Sequence, residues 1–221
     1  MKLICFTSAQ GGVGRSQLIT NIAYLLSTLG RRVGVIDLNG RKIPELLKTV
    51  AVNQLILLNA PEDSNPLTLI GRWKEKGVEY ILVNTHILEC EELTADYILI
   101  VTTPLRLSLI ENMRVAEVLR KSFGNAKIGV ILNKVGECEE YEYNKFIVEK
   151  LLGVPVLHQI PYDKSFIRSE QLGEPIQKLF DKKELLIPLL KLVNRIFEIP
   201  IPVRKYEKTF TPSFLTRFWR R

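Results

Sequence analysis

Residues 8–17 read SAQGGVGRSQ, directly after the apolar run KLICFT at 2–7 and leading into the helix-length stretch 16–29. A strand, a glycine-rich turn and a helix in that order form the setting in which a phosphate-binding loop, G-x-x-x-x-G-K-[ST], is recognised. In such a loop the backbone N–H groups face the phosphates, side chains at the glycine positions would block them, and the following helix adds its positive end. Gly11, Gly12 and Gly14 keep that cradle with Val13 among them, and Ser16 supplies the hydroxyl that would hold Mg²⁺. Ala9 stands where the first glycine belongs and Arg15 where the lysine belongs. A glycine-rich turn with no ligand is the alternative.

Beyond the loop, short apolar runs alternate with helix-length stretches. The runs are KLICFT, RVGVID, QLILLN, YILVNT, YILIVTT, KIGVILNK and VPVLHQI. Their apolarity is continuous, as in strands buried on both faces of a parallel sheet. Helices are predicted near 16–29, 66–76, 108–122, 142–152 and 183–197. The alternation predicts an α/β fold: a doubly wound, mostly parallel sheet with helices on both faces. In the last helix Leu185, Leu186, Leu189, Val193, Ile196 and Phe197 share a face, and Pro188 either begins its regular part or kinks it. Pro200 and Pro202 favour an extended linker next. The expected organisation is one domain over 1–198, a linker over 199–209 and a separate segment over 210–221.

A chain of 221 residues fits a single domain, and 46% hydrophobic and 25% charged residues are ordinary for a globular protein. No apolar run approaches the roughly 20 residues of a spanning helix, and the start, MKLICFTSAQGG, does not read as a cleavable signal. A cytoplasmic protein is the expectation. Cys5, Cys90 and Cys138 lack metal or disulfide spacing, and Cys5 reads as a buried core thiol. The net charge of +7 is concentrated at the end, where 204–221 carries six basic residues against one acid, Glu207. A mildly basic body with a strongly basic tail argues against nucleic acid as the partner, which would need basic residues spread over the body.

Several stretches together resemble the MinD/ParA family, the deviant Walker A ATPases. They are AQGGVGRS through VGVIDLN at 9–39, YILVNTH at 80–86 and ILIVTTPLRLSLIENMRVAEVL at 98–119, followed by IGVILNK at 128–134 and LGVPVLHQIPYD at 152–163. The final FLTRFWRR, 214–221, resembles the membrane-targeting helix of the MinD branch. The order of the segments carries the likeness, although no single motif is intact. The resemblance implies ATP or ADP as ligand, with Mg²⁺. It assigns nucleotide binding to Gln10, Gly11, Gly12, Val13, Gly14, Arg15, Ser16 and Gln17, and to Asn133, Pro161 and Asp163 near the adenine. It assigns Mg²⁺ to Ser16 and Asp37.

The departures fall on the chemistry. The family's first loop lysine reaches across a nucleotide sandwich dimer; Gln10 is neutral, which puts an ATP-driven homodimer in doubt. Arg15 keeps a charge but is wide and planar, so it does not simply replace lysine. Asn39 and Asn84 occupy the positions of family aspartates tied to the attacking water and the metal shell. An amide there brings no negative charge. Each lost charge-stabilising group is commonly worth about 10²-fold in rate, so four together predict an impaired or absent ATPase. Taken on their own, Asp37 reads equally as a cap on the next turn, Asn133 as a strand-end polar residue and 161–163 as a turn. Only 45 positions separate Asn39 from Asn84, a spacing that suggests a trimmed switch region. His86 and His158 read as structural. ECEEYEYNK at 137–145 reads as a solvated loop leading into a helix, or as a site for a basic partner.

In the tail, Phe210, Phe214, Leu215, Phe218 and Trp219 share one face of a helix, with Arg217, Arg220 and Arg221 on the other face or at the end. Aromatic and arginine residues in this arrangement suit an anionic membrane surface; docking on the protein's own body is the alternative. The expected function is therefore a MinD-like positioning or scaffold protein, peripheral at the inner face of the cell membrane. It would bind nucleotide with weak or no hydrolysis and engage a protein partner the sequence does not identify. A slow ATPase and an interaction module with a vestigial site are the alternatives.

Overall fold

The computed structural model describes residues 1–39, 43, 55–58, 65–86, 93–122, 126–179 and 186–203. Seven strands form one sheet: β1 Lys2–Thr7, β2 Val33–Asp37, β3 Leu55–Leu58, β4 Tyr80–Asn84, β5 Tyr97–Thr102, β6 Lys127–Val135 and β7 Val156–Pro161. Their order is β3-β2-β4-β1-β5-β6-β7, and every neighbouring pair is parallel. Each of the seven apolar runs supplies one strand. The helices are α1 Arg15–Thr28, α2 Pro66–Glu75, α3 Arg106–Ser122, α4 Lys145–Leu152, α5 Lys164–Leu172, α6 Ile176–Leu179 and α7 Leu186–Phe197.

Alternation along the strands divides the core into two. Ile4 and Phe6 of β1, with Leu82, Leu99 and Ile131, join residues of α1 and α7 on one face. Leu3 and Cys5, with Ile81, Val83 and Ile98, join Trp73 of α2, Leu119 of α3 and Val148 of α4 on the other. The period of two in a strand sends successive side chains to opposite faces, and here both faces are covered. Cys5 is buried as expected; Cys90 lies outside the described residues.

Pro188 sits in the first turn of α7 as described, Leu186–Phe197, where a missing N–H is tolerated. Ile199 and Ile201, in the stretch expected to be linker, are buried against the α1–α7 core while Pro200 and Pro202 point outward. The packed body therefore extends past residue 198. The segment 204–221, with every tail residue named above, lies outside the described residues. Among the described residues no helix is long and apolar enough to cross a membrane.

Sheet topology fixes where a ligand meets the fold. From β1 the chain crosses to β2 on one side, while β5 lies on the other. The carboxyl end of β1 is thus a switch point, the place where open α/β sheets form a crevice. SAQGGVGRSQ leaves β1 there.

Candidate functional site

The loop is held at both ends by asparagines from distant elements. Asn112, fully buried in α3, accepts from the Ala9 N–H through Oδ1 at 3.0 Å. Its Nδ2 donates to the Ser108 carbonyl at 2.9 Å and to Thr102 Oγ1 at 3.3 Å, which fixes the amide's orientation. Ser8 Oγ accepts from the Gln10 N–H at 3.2 Å. At the other end Asn133, in β6, donates from Nδ2 to the Val13 carbonyl at 2.8 Å. Gly14 closes the loop with φ +84°, and a Cβ there would fall 2.4 Å from Asn133 Nδ2. Both conformation and close approach require glycine at 14.

Helix α1 starts from Gly14 with no side-chain cap and no acidic residue in its first turn. The first N–H groups of a helix have no internal partner, and with no acidic side chain in this first turn they offer their partial positive charge to an anion. Arg15 directs Nη1 to the Thr85 carbonyl at 3.2 Å, at the end of β4. Its guanidinium therefore bridges the loop and the neighbouring strand end. Gln17, on the same first turn, donates to the Phe166 carbonyl and ties α5 to α1.

Asp37 ends β2 and is 7% exposed. Its Oδ1 accepts from the Asn39 N–H at 3.1 Å and from Asn84 Nδ2 at 2.7 Å, and its Oδ2 from the Ile43 N–H at 3.1 Å. The turn-capping alternative for Asp37 is thus the one realised. Asn84 Nδ2 also lies 3.5 Å from Ser16 Oγ, and Asn84 Oδ1 accepts from Asn39 Nδ2 at 3.4 Å. Four residues from three elements and a loop form one network beneath the cradle.

Direct ligation of Mg²⁺ by Asp37 competes with these hydrogen bonds. The ion needs oxygen ligands at about 2.0–2.1 Å in near-octahedral geometry, whereas both Asp37 oxygens face N–H donors. Among the described residues no group of three or more His, Cys, Asp or Glu converges on a point. Ser16 and Asp37, the pair expected to hold magnesium, are linked through Asn84, and the Asp37 carboxylate accepts three protein donors.

A cleft of about 830 Å³ opens over the loop, within the roughly 300–1,000 Å³ of small-molecule sites. Every residue assigned to nucleotide binding, from Gln10 to Gln17 and then Asn133, Pro161 and Asp163, lines it, as do Asn39, Asn84 and His86. Asp163 also caps α5, accepting from the Ser165 N–H through Oδ1 at 2.7 Å. The far wall is α5, whose Phe166, Ile167 and Leu172 give it an apolar surface. Neither α5 nor Asn112 was anticipated. The Asp163-x-Ser165 cap was a readable signal for α5, while Asn112 lies 103 residues from its partner Ala9 with no local signature. His158 stands apart on β7, bonded to the Pro188 backbone, with burial lowering its pKa to about 4. The 137–145 stretch forms a short 3-10 turn at Glu139–Tyr141 leading into α4, and Glu142 accepts from Gly136 N–H and Cys138 N–H.

Comparison with known proteins matches these features. Residues 4–176 fit the family described as the CobQ/CobB/MinD/ParA nucleotide-binding domain. An uncharacterized ATP-binding protein of Methanocaldococcus jannaschii is 43% identical over 83 residues, which span 38% of this chain and only 32% of that protein. An iron-sulfur cluster carrier protein of Rickettsia typhi is 24% identical over 80% of this chain and 69% of its own. Among solved structures, the MinC:MinD cell division protein complex of Aquifex aeolicus superposes with TM-score 0.77. It is 22% identical and covers 91% of this chain and 98% of that one, a likeness of fold. With the family model spanning well over half its length and the loop, sheet order and cleft in place, this chain belongs to the CobQ/CobB/MinD/ParA nucleotide-binding domain family.

Proposed function

We propose that the protein binds ADP or ATP in the cleft over residues 10–17 without turning it over, and acts as a nucleotide-occupied scaffold at an anionic membrane surface. The observation that carries this reading is the contrast within the site. The glycine loop is held in place, with Asn112 and Asn133 pinning its two ends. The groups that would drive phosphoryl transfer are replaced or engaged elsewhere: Asn39 and Asn84 are amides, and the Asp37 carboxylate accepts three protein donors. Phosphoryl transfer relies on positioning and on charge stabilisation at the transition state. A site with the first and without much of the second holds its ligand intact.

Within this reading the cradle and the α1 N-terminus take the phosphates, Arg15 adds positive charge beside them, and the Phe166–Leu172 wall takes the base. The tail supplies membrane contact, through Phe210, Phe214, Leu215, Phe218 and Trp219 for apolar burial and Arg217, Arg220 and Arg221 for anionic headgroups. The protein then resides in the cytoplasm, peripheral at the inner face of the membrane, where it presents its body to a protein partner in spatial organisation of the cell-division type. Calorimetric titration of the full chain with ADP and ATP, paired with phosphate release over hours, tests the reading. Saturable binding of either nucleotide with no release above an Arg15→Ala control is expected; no binding of either makes the loop vestigial, and steady release makes the protein a slow ATPase.

A further inference from the structure

The network under the cradle has an uncommon member at its centre. Asn84 is 1% exposed, and its Nδ2 is 2.7 Å from the Asp37 carboxylate and 3.5 Å from the Ser16 hydroxyl. The orientation of that amide is fixed by chemistry: an ionised carboxylate only accepts, so the atom 2.7 Å away must be the donor nitrogen. Asn39 Nδ2 confirms it by donating to the opposite atom, Asn84 Oδ1. A neutral NH₂ group therefore reaches both a carboxylate and a hydroxyl, the two groups that would otherwise share a cation.

We infer that the Asn84 amide takes the place of the divalent ion, so that the cleft binds its nucleotide as the metal-free polyphosphate anion. The amide supplies a donor to Asp37, and a dication would have to displace that hydrogen bond to reach the carboxylate. Positive charge for the phosphates comes from Arg15 and the backbone N–H groups of the loop and α1 instead of from an ion. Two physical consequences follow. Removing magnesium leaves affinity intact, because no ion bridges ligand and protein. Adding excess magnesium does not tighten binding, because it withdraws the free polyphosphate from solution. The inference rests on nucleotide binding as proposed above and specifies the form of the ligand.

The test is a titration of the full-length protein with fluorescently labelled ADP in EDTA and again in millimolar Mg²⁺. Dissociation constants that agree within about twofold, or that are lower in EDTA, are expected. Binding tighter by about threefold or more in Mg²⁺ overturns the inference while leaving the nucleotide reading standing. An absence of binding in both conditions removes the nucleotide reading and the inference with it. The variant Asn84→Asp sets a second carboxylate against Asp37 and is expected to bind labelled ADP about tenfold or more tighter with Mg²⁺ than with EDTA. Melting temperature without nucleotide provides a second readout. Mg²⁺ is expected to raise it in Asn84→Asp and leave the wild type unchanged; a magnesium-dependent rise in the wild type contradicts the inference.

Discussion

Asp37 shows how one side chain changes role when its neighbours change. Its carboxylate receives two backbone N–H groups and one amide, and hydrogen bonds to a charged acceptor are commonly worth about 1.5–3 kcal/mol each. Asp37→Ala leaves those donors unpartnered, so it is expected to lower the unfolding free energy by about 3 kcal/mol or more, read from the urea midpoint. At Gly14 the expectation concerns binding. A methyl there meets Asn133 Nδ2 and a φ of +84° that other residues rarely adopt, so Gly14→Ala should abolish nucleotide binding in calorimetry while far-ultraviolet dichroism stays native. The identities of Asn39, Asn84 and Arg15 were legible from their places along the chain. Their partners were not. Asn84 reaches Asp37 across 47 residues and Arg15 reaches Thr85 across 70, and only the sheet order β2-β4-β1 brings them side by side. The same distance hid Asn112, a helix residue that reads as an ordinary polar position until β5 and α3 deliver it to the start of the loop.

Among the elements, the strands were easier to read than the helices. A strand buried on both faces must be apolar at every position, and β1, β5 and the first part of β6 show such runs in the sequence itself. Helix α5 fully buries only Ser169; its Phe166 is partly buried on the core while Ile167 and Leu172 stay exposed along the cleft, so few apolar positions mark it as a packed helix. It is held by the Asp163 cap and by its contacts around the cleft. Helix α2 is the opposite case. Trp73 is 2% exposed, and a Cβ on Gly34 of β2 would come within 2.3 Å of its ring. The indole thus packs directly on the strand backbone. Trp73→Ala is expected to cost about 3–5 kcal/mol, as large aromatic truncations in cores do, measured as a shift in thermal or chemical unfolding. The Phe166–Leu172 wall of α5 gives an element-scale test of ligand orientation: if the base lies there, Phe166→Ala weakens adenine nucleotide binding more than inorganic pyrophosphate binding.

For the molecule as a whole, one buried imidazole makes stability depend on pH. His158 is held neutral by burial, with its pKa lowered from 6.5 to about 4. The unfolded chain takes up that proton first as the pH falls, so folded stability declines from about pH 6.5 down to about pH 4 and changes no further from this group below it. The full difference amounts to about 3 kcal/mol. His158→Gln should flatten that part of the urea-midpoint profile relative to wild type, and an unchanged difference between the two proteins across the window would refute it. In the proposed function, location rests with the basic tail at 204–221. Removing residues 205–221 is expected to abolish co-sedimentation with anionic vesicles and leave ADP binding unchanged, because every residue assigned to nucleotide binding lies within 10–163. The central claim is that the cradle retains nucleotide after the groups for hydrolysis have been replaced. Its most direct test is a single-turnover measurement: the protein is loaded with ATP, separated from excess, and its bound nucleotide identified over hours. Recovery of bound nucleotide as intact ATP is predicted; stoichiometric conversion to ADP and phosphate at the rate of an intact relative contradicts the account.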